Sequence, residues 1–115
     1  MELKATARYQ QLQPKKTRLV VDLVRGLPVN QALESLRLSP RRASATVSKL
    51  IESAIAAAVE QHDVDADALY VRQAWVDEGP MRYWRRARSR GMWNRIRARS
   101  SHISVIVSDE QDGKE

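Results

Sequence analysis

The stretch GPMRYWRRARSRGMWNRIRARS, residues 79–100, decides how the rest of this chain is read. It lies in a run of thirty residues, 79–108, without a carboxylate, and it carries eight arginines: Arg82, Arg85, Arg86, Arg88, Arg90, Arg95, Arg97 and Arg99. The whole chain has 20 lysine plus arginine against 14 aspartate plus glutamate, a net +6; without the eight arginines the remainder has 12 against 14, a net −2. A mildly acidic body therefore carries one concentrated basic element. Its cations are all arginine, whose planar fork of five donors suits phosphates and stacked bases better than an ammonium does. Such a field fits a polyanionic partner, nucleic acid foremost.

On both sides of this stretch the pattern is that of strands. Leu69, Val71, Gln73 and Trp75 alternate with Tyr70, Arg72, Ala74 and Val76, while Ile103, Val105 and Val107 alternate with Ser104 and Ile106. If strands ending near Gly79 and beginning near His102 pair antiparallel, their midpoint falls between Arg90 and Gly91. Glycine accepts the positive φ of a tight reversal, so a long hairpin over 79–101 is predicted, turning at Ser89 to Met92. About ten residues per arm, at roughly 3.3 Å each, reach on the order of 30 Å. The run YWRRARSR (83–90) has no apolar face, so the arm lacks a core and is predicted to be mobile until a partner holds it. Tyr83, Trp84 and Trp93, interleaved with arginine, are candidates for stacking on RNA bases. Pairing of Trp84 with Trp93 across the hairpin is the competing reading.

Upstream, Leu3, Ala5, Ala7 and Tyr9 alternate with Glu2, Lys4, Thr6 and Arg8, a half-buried strand. Pro14 opens a predicted helix to about Arg25, with Leu19, Val20, Leu23 and Val24 on one stripe and Gly26 placed as a left-handed cap. Lys15, Lys16 and Arg18 sit in its first turns, where cations oppose the helix dipole by roughly 0.3 to 1 kcal/mol for a close charge. An external anion would offset that cost; a solvated face that tolerates it is the plainer reading. VNQALESLRL (29–38) is a second helix with Val29, Ala32, Leu33 and Leu36 inward. Ser39 and Pro40 read as N-cap and first position of a third, running to about Gln61, with Val47, Leu50, Ile51, Ala54, Ile55 and Ala58 on its buried stripe. The polar HDVDADA (62–68) is a loop, and the acidic residues 111–115 form a disordered tail to one domain over 1–110.

Several chemistries are excluded. There is no cysteine, hence no disulfide, thiolate metal site or cysteine nucleophile. His62 and His102 have no ligand spacing around them, no nucleophile motif surrounds any serine, and Gly26, Gly79, Gly91 and Gly113 are scattered rather than gathered into a phosphate loop. Asp77 and Glu78 are expected to pair with nearby arginines. No enzyme, cofactor or metal is expected. The first ten residues lack the apolar core of a signal peptide, and the apolar run 54–59 is too short to span a bilayer, so a soluble intracellular protein is expected. A pI of 10.2 also suits a membrane-surface protein. Against that, residues 81–99 show no sustained apolar stripe.

The blocks PKKTRLVVDLVRG (14–26), VNQALESL (29–36), KLIESAIAAA (49–58), VDEGP (76–80) and SSHISVIVSD (100–109), in this order and with a basic insertion between the last two, closely resemble the uL22 family of large-subunit ribosomal proteins. The resemblance covers about residues 4–109. It implies an α+β fold: three helices packed on a small three-stranded antiparallel sheet, with a long protruding β-hairpin. It also implies a cytoplasmic ribosomal protein that binds large-subunit (23S) rRNA and acts early in subunit assembly. The family's hairpin tip lines the polypeptide exit tunnel beside uL4 and is associated with macrolide sensitivity. Homo-oligomers and membranes are not implied as partners.

Pro14, Lys16 and Arg18 match the family's basic helix start, and Arg88, Gly91, Arg95 and Arg99 match hairpin positions. Residues Arg88, Ser89, Arg90, Gly91 and Met92 then form the tip that meets the nascent polypeptide. Ala87 stands where the family often has proline, and Gly91, Met92 and Trp93 where it often has Gly-Arg-Ala. For Trp93 this leaves two readings, a narrower tunnel or a stack on rRNA.

The function expected is that of a structural rRNA-binding constituent of the ribosome, with a free-standing RNA-binding regulator or chaperone as the alternative. If all eight arm arginines meet phosphates, log affinity for rRNA fragments falls against log salt with a slope of about −6 to −7, at roughly 0.7 to 0.9 per contact. Titration of the purified protein at several salt concentrations measures this. A slope near −2 would show that most of those arginines are not phosphate ligands.

Overall fold

The computed structural model describes residues 1–87 and 89–109, with backbone alone over 83–87, 89 and 93–97. Five strands, β1 (Glu2–Gln10), β2 (Tyr70–Glu78), β3 (Arg82–Ala87), β4 (Trp93–Ala98) and β5 (Ser101–Ser108), accompany three helices, α1 (Pro14–Val24), α2 (Val29–Leu38) and α3 (Ala43–His62). They form two antiparallel sheets, β1-β5-β2 and the hairpin β3-β4. The last strand is thus the middle of the larger sheet. Val105 sits opposite Ala5 on one side and Ala74 on the other. The Met1 ammonium donates to Asp109 Oδ1 at 3.0 Å and holds that carboxyl below its usual range.

All three helices lie on one side of this sheet, α1 against β2 and α3 against β1 and β5. Ile103, Val105, Val107 and Val71 meet Val47, Ile51, Ala54 and Ala58, all essentially inaccessible to water. The alanines let α3 approach the sheet closely. Burial of each large aliphatic side chain there contributes roughly 1.5 to 3 kcal/mol. The expected left-handed cap is not formed: α1 ends at Val24 with Arg25 extended, and Gly26 (φ +84) gives its N–H to the Val71 carbonyl of β2 rather than to a helix carbonyl.

Local readings needed four further corrections, each with a physical cause. In β1 the register slips between Ala7 and Gln10, so Arg8 and Tyr9 together oppose His102. This bulge puts Tyr9 at φ 57 and turns its ring outward, 66% exposed, instead of extending the inward row. A second slip between Val71 and Gln73 moves the buried row of β2 from Val71 to Ala74 and Val76, leaving Trp75 half-exposed beneath the Lys4 ammonium. On α1 the buried stripe is Thr17, Val20, Val21 and Val24, while Leu19 and Leu23 are exposed. Ser39 ends α2 rather than opening α3: its N–H bonds the Leu36 carbonyl, and its Oγ accepts the Arg41 N–H at 3.3 Å. Proline after Ser39 keeps it extended, which suits a turn between two helices. Consequently α3 starts at Ala43, and Arg41 and Arg42 belong to the connection.

The molecule measures 63 × 25 × 25 Å, with a radius of gyration of 17.3 Å. A compact chain of this length has about 13 Å. The arm therefore projects. Its paired strands hold six residues each, fewer than the ten expected, because the ladder is interrupted at Pro80, which has no N–H to give. Ser100 carries the chain across the break: its carbonyl accepts from Gly79 N at 2.9 Å, and its Oγ donates to the Pro80 carbonyl at 2.7 Å. The reversal falls at Ser89–Gly91, as read from the sequence, and Arg90 (φ 62) joins Gly91 (φ 72) in the left-handed region. Backbone register sets Trp84 opposite Ile96 and Trp93 opposite Ala87, so the two tryptophans are not a directly opposed pair. Arg88 and the tail 111–115 lie outside the described residues.

At Gly79 this arrangement leaves no room for a side chain. A Cβ there would stand 2.3 Å from Ser100 Oγ and 3.2 Å from His102 Nε2. Gly79→Ala is expected to cost about 1 to 3 kcal/mol in urea unfolding, and clearly less when Ser100→Ala has already removed the hydroxyl. Equal cost in both backgrounds would contradict this account.

Candidate nucleic-acid interface

At the root of the arm the chain forms a cleft of about 750 Å³. Four separate segments build it. The β1–α1 link supplies Gln11, Leu12 and Gln13; the first turn of α1 supplies Lys16 and Thr17; the α2–α3 link supplies Arg41 and Arg42; and the arm supplies Arg82, Arg99 and Ser100. Among the described residues, the lining holds five cationic side chains, Lys16, Arg41, Arg42, Arg82 and Arg99, and no carboxylate. The walls are fixed by short bonds. Ser101 Oγ donates to the Leu12 carbonyl at 2.7 Å, and Thr17 Oγ1, on a buried residue, donates to the Gln13 carbonyl at 2.8 Å.

Two helices begin at this cleft. Neither α1 nor α3 has a side chain capping its N-terminus, and neither has an acidic residue in its first turn. Their first N–H groups and the positive ends of their dipoles add to the five side-chain charges. The combined field is repulsive to itself and attractive to an anion, and a row of phosphates is the anion whose spacing matches several cations at once.

The candidates from the sequence divide into three groups. Lys16, Arg82 and Arg99 come together in the cleft, from segments sixty and more residues apart in the chain. Lys15 lies exposed on α1 beside them, and Arg90, Gly91 and Met92 are exposed at the far end of the arm. Arg18 is engaged within the body: its Nε and Nη2 both donate to the Val76 carbonyl, at 3.3 and 3.1 Å, tying α1 to the edge strand β2. For Arg85, Arg86, Arg95, Arg97, Tyr83, Trp84, Ser89 and Trp93 the structure places the backbone on the arm. Arg88 is outside the described residues.

The sequence reading missed Tyr9, Arg41 and Arg42. Strict alternation puts Tyr9 on the row of Leu3, Ala5 and Ala7, and a helix opened at Pro40 takes in both arginines. A serine followed by proline directly after an amphipathic stripe was the available signal that Arg41 and Arg42 stand in a turn.

No helix among the described residues is long and apolar enough to cross a membrane, and no cluster of His, Cys, Asp or Glu there could hold a metal ion.

Comparison with known proteins agrees with this architecture. The sequence profile of "Ribosomal protein L22p/L17e" matches residues 5–108, nearly the whole chain, which sets the class: a ribosomal protein. Large ribosomal subunit protein uL22 of Pelotomaculum thermopropionicum is 47% identical over 115 aligned residues, covering 98% of this chain and 100% of its own. That of Chloroflexus aggregans is 45% identical over 112 residues (97% and 99%), and that of Halothermothrix orenii 43% over 113 (98% and 100%). The chain belongs to the L22p/L17e family, whose bacterial members are uL22, structural and non-enzymatic constituents of the large ribosomal subunit. Its setting is the cytoplasmic ribosome, among rRNA and other ribosomal proteins.

Replacing Lys16, Arg41 and Arg42 together by glutamine is expected to flatten the salt dependence of rRNA-fragment binding by about 2 to 3 in slope, three contacts at roughly 0.7 to 0.9 each. Circular dichroism checks that the variant is folded. An unchanged slope would mean that the cleft does not meet phosphates.

Proposed function

We propose that this chain binds 23S rRNA through one continuous basic surface, the cleft at the arm's root and the arginines beyond it, and that the arm reaches from the body to the polypeptide exit tunnel. The observation that carries the reading is the cleft itself: five cations from three different segments, with no carboxylate among the described lining residues. All five side chains are exposed, and a concentrated basic field of this kind attracts a polyanion. The rRNA-binding set is Lys15, Lys16 and Arg18 with Arg82, Arg85, Arg86, Arg88, Arg90, Arg95, Arg97 and Arg99, extended by Arg41 and Arg42. Tyr83, Trp84 and Trp93 stack on bases along the arm. Arg18 contributes through whatever part of its guanidinium faces outward from the Val76 carbonyl.

The arm crosses a region where rRNA phosphates crowd together and neutralises them, which is also how it assists subunit assembly. Its tip, Arg88 to Met92, faces the nascent polypeptide, next to uL4. Support for this placement comes from family membership, from the 63 Å long axis, and from the exposure of Met92 at the reversal.

Two experiments test the reading. After a wash in high salt, the protein is expected to remain with the large subunit on sedimentation; release into the supernatant is the behaviour of a free-standing RNA-binding regulator or chaperone. With a photoreactive amino acid in place of Met92, crosslinks to the nascent chain are expected in stalled translating ribosomes. Crosslinks to rRNA alone would take the tip out of the tunnel wall.

A further inference from the structure

The cleft has more than a phosphate needs. Beside its cations the cleft is lined by the partly exposed Leu12 and Ala98 and by the Tyr9 ring, with Val20 and Ala43 buried behind them. A phosphate group alone has no use for an exposed aromatic ring. Charge beside an exposed aromatic ring is the chemistry that recognises one nucleotide taken out of its stack.

Tyr9 is held in place for this. It is a non-glycine residue at φ 57, a left-handed conformation that a bulky side chain adopts only under constraint. The constraint comes from His102: its Nδ1 accepts the Tyr9 N–H at 3.0 Å, and its ring meets the tyrosine edge-on at 4.8 Å between centroids. His102 faces Gly79 across the arm's root. The same packing therefore fixes both the arm and the ring, and the ring is left 66% exposed instead of buried.

From this geometry we infer that the root cleft seats a single unpaired RNA nucleotide, its base against the Tyr9 ring, its flanking phosphates on Lys16, Arg41, Arg42, Arg82 and Arg99. The inference rests on the rRNA-binding reading and adds to it the class of RNA feature recognised: a bulged or extruded nucleotide rather than a regular duplex. Tyr9 and His102 divide the work. Tyr9 touches the base, and His102 is a positioning residue.

The full-length protein is titrated into three short RNA duplexes at constant salt: one with a single unpaired 2-aminopurine, one with an abasic site in its place, and one fully paired. The wild type is expected to bind the bulged RNA about 5- to 150-fold more tightly than the abasic one, the range one base–aromatic stack supplies, and to quench the 2-aminopurine fluorescence. Tyr9→Phe keeps that preference. Tyr9→Asn, which suits the left-handed backbone and lacks the ring, loses it while retaining the salt slope and the abasic affinity.

Equal binding of bulged and abasic RNA by the wild type, unquenched fluorescence at saturation, or a preference that survives in Tyr9→Asn would each overturn the inference and leave the rRNA-binding reading intact. Failure of the protein to bind any of the three RNAs in a salt-dependent way would overturn that reading and this one together.

Discussion

The antiparallel ladder between β2 and β5 is the constraint on which the rest depends. Because β5 is hydrogen-bonded on both sides, to β1 and to β2, its position is set by the whole body. Everything between β2 and β5 must then leave and return at one place, with Glu78 opposite Ser101. A basic insertion of this composition would otherwise be a loose loop. Pinned at both ends of a rigid ladder, and reinforced by the Gly79–Ser100 and Ser100–Pro80 bonds, it becomes a directed arm.

That same constraint creates the cleft. The arm's root rises beside the start of α1 and the α2–α3 connection, so Arg82 and Arg99 arrive next to Lys16, Arg41 and Arg42. Two helices without caps or first-turn acids begin there. Within the isolated chain these groups oppose one another, and a folded protein has only a few kcal/mol to spare for such opposition. Elsewhere on the body Arg25 pairs with Asp22, and Arg72 with Glu2.

Much of the fold was legible because period and punctuation agreed. Pro14 and Gly26 bracket α1, the alanine-rich stripe marks α3, and the placement of Gly91 midway between two alternating runs located the reversal. What escaped came from backbone irregularity. The bulges at Arg8–Tyr9 and at Arg72 shift the face of every residue beyond them, and alternation alone has no way to register one inserted residue. The inward face of α1 was misjudged for a related reason: Leu19 and Leu23 are as apolar as their neighbours, and only the position of β2 decides that Thr17 and Val21 turn inward instead. Of the candidate site, the arm was visible as composition. The cleft was not, since it joins residues from positions 9 to 100 that only the tertiary fold brings together.

The most direct test of the central claim, that cleft and arm form one phosphate-binding surface, is a density map of the large ribosomal subunit containing this chain. Phosphate oxygens of rRNA are expected at hydrogen-bonding distance, roughly 3 Å, from Lys16 and from the guanidinium groups of Arg41, Arg42, Arg82 and Arg99, in continuity with those along the arm. A map in which the arm is embedded in rRNA while the cleft opens to solvent or is filled by another protein would contradict it.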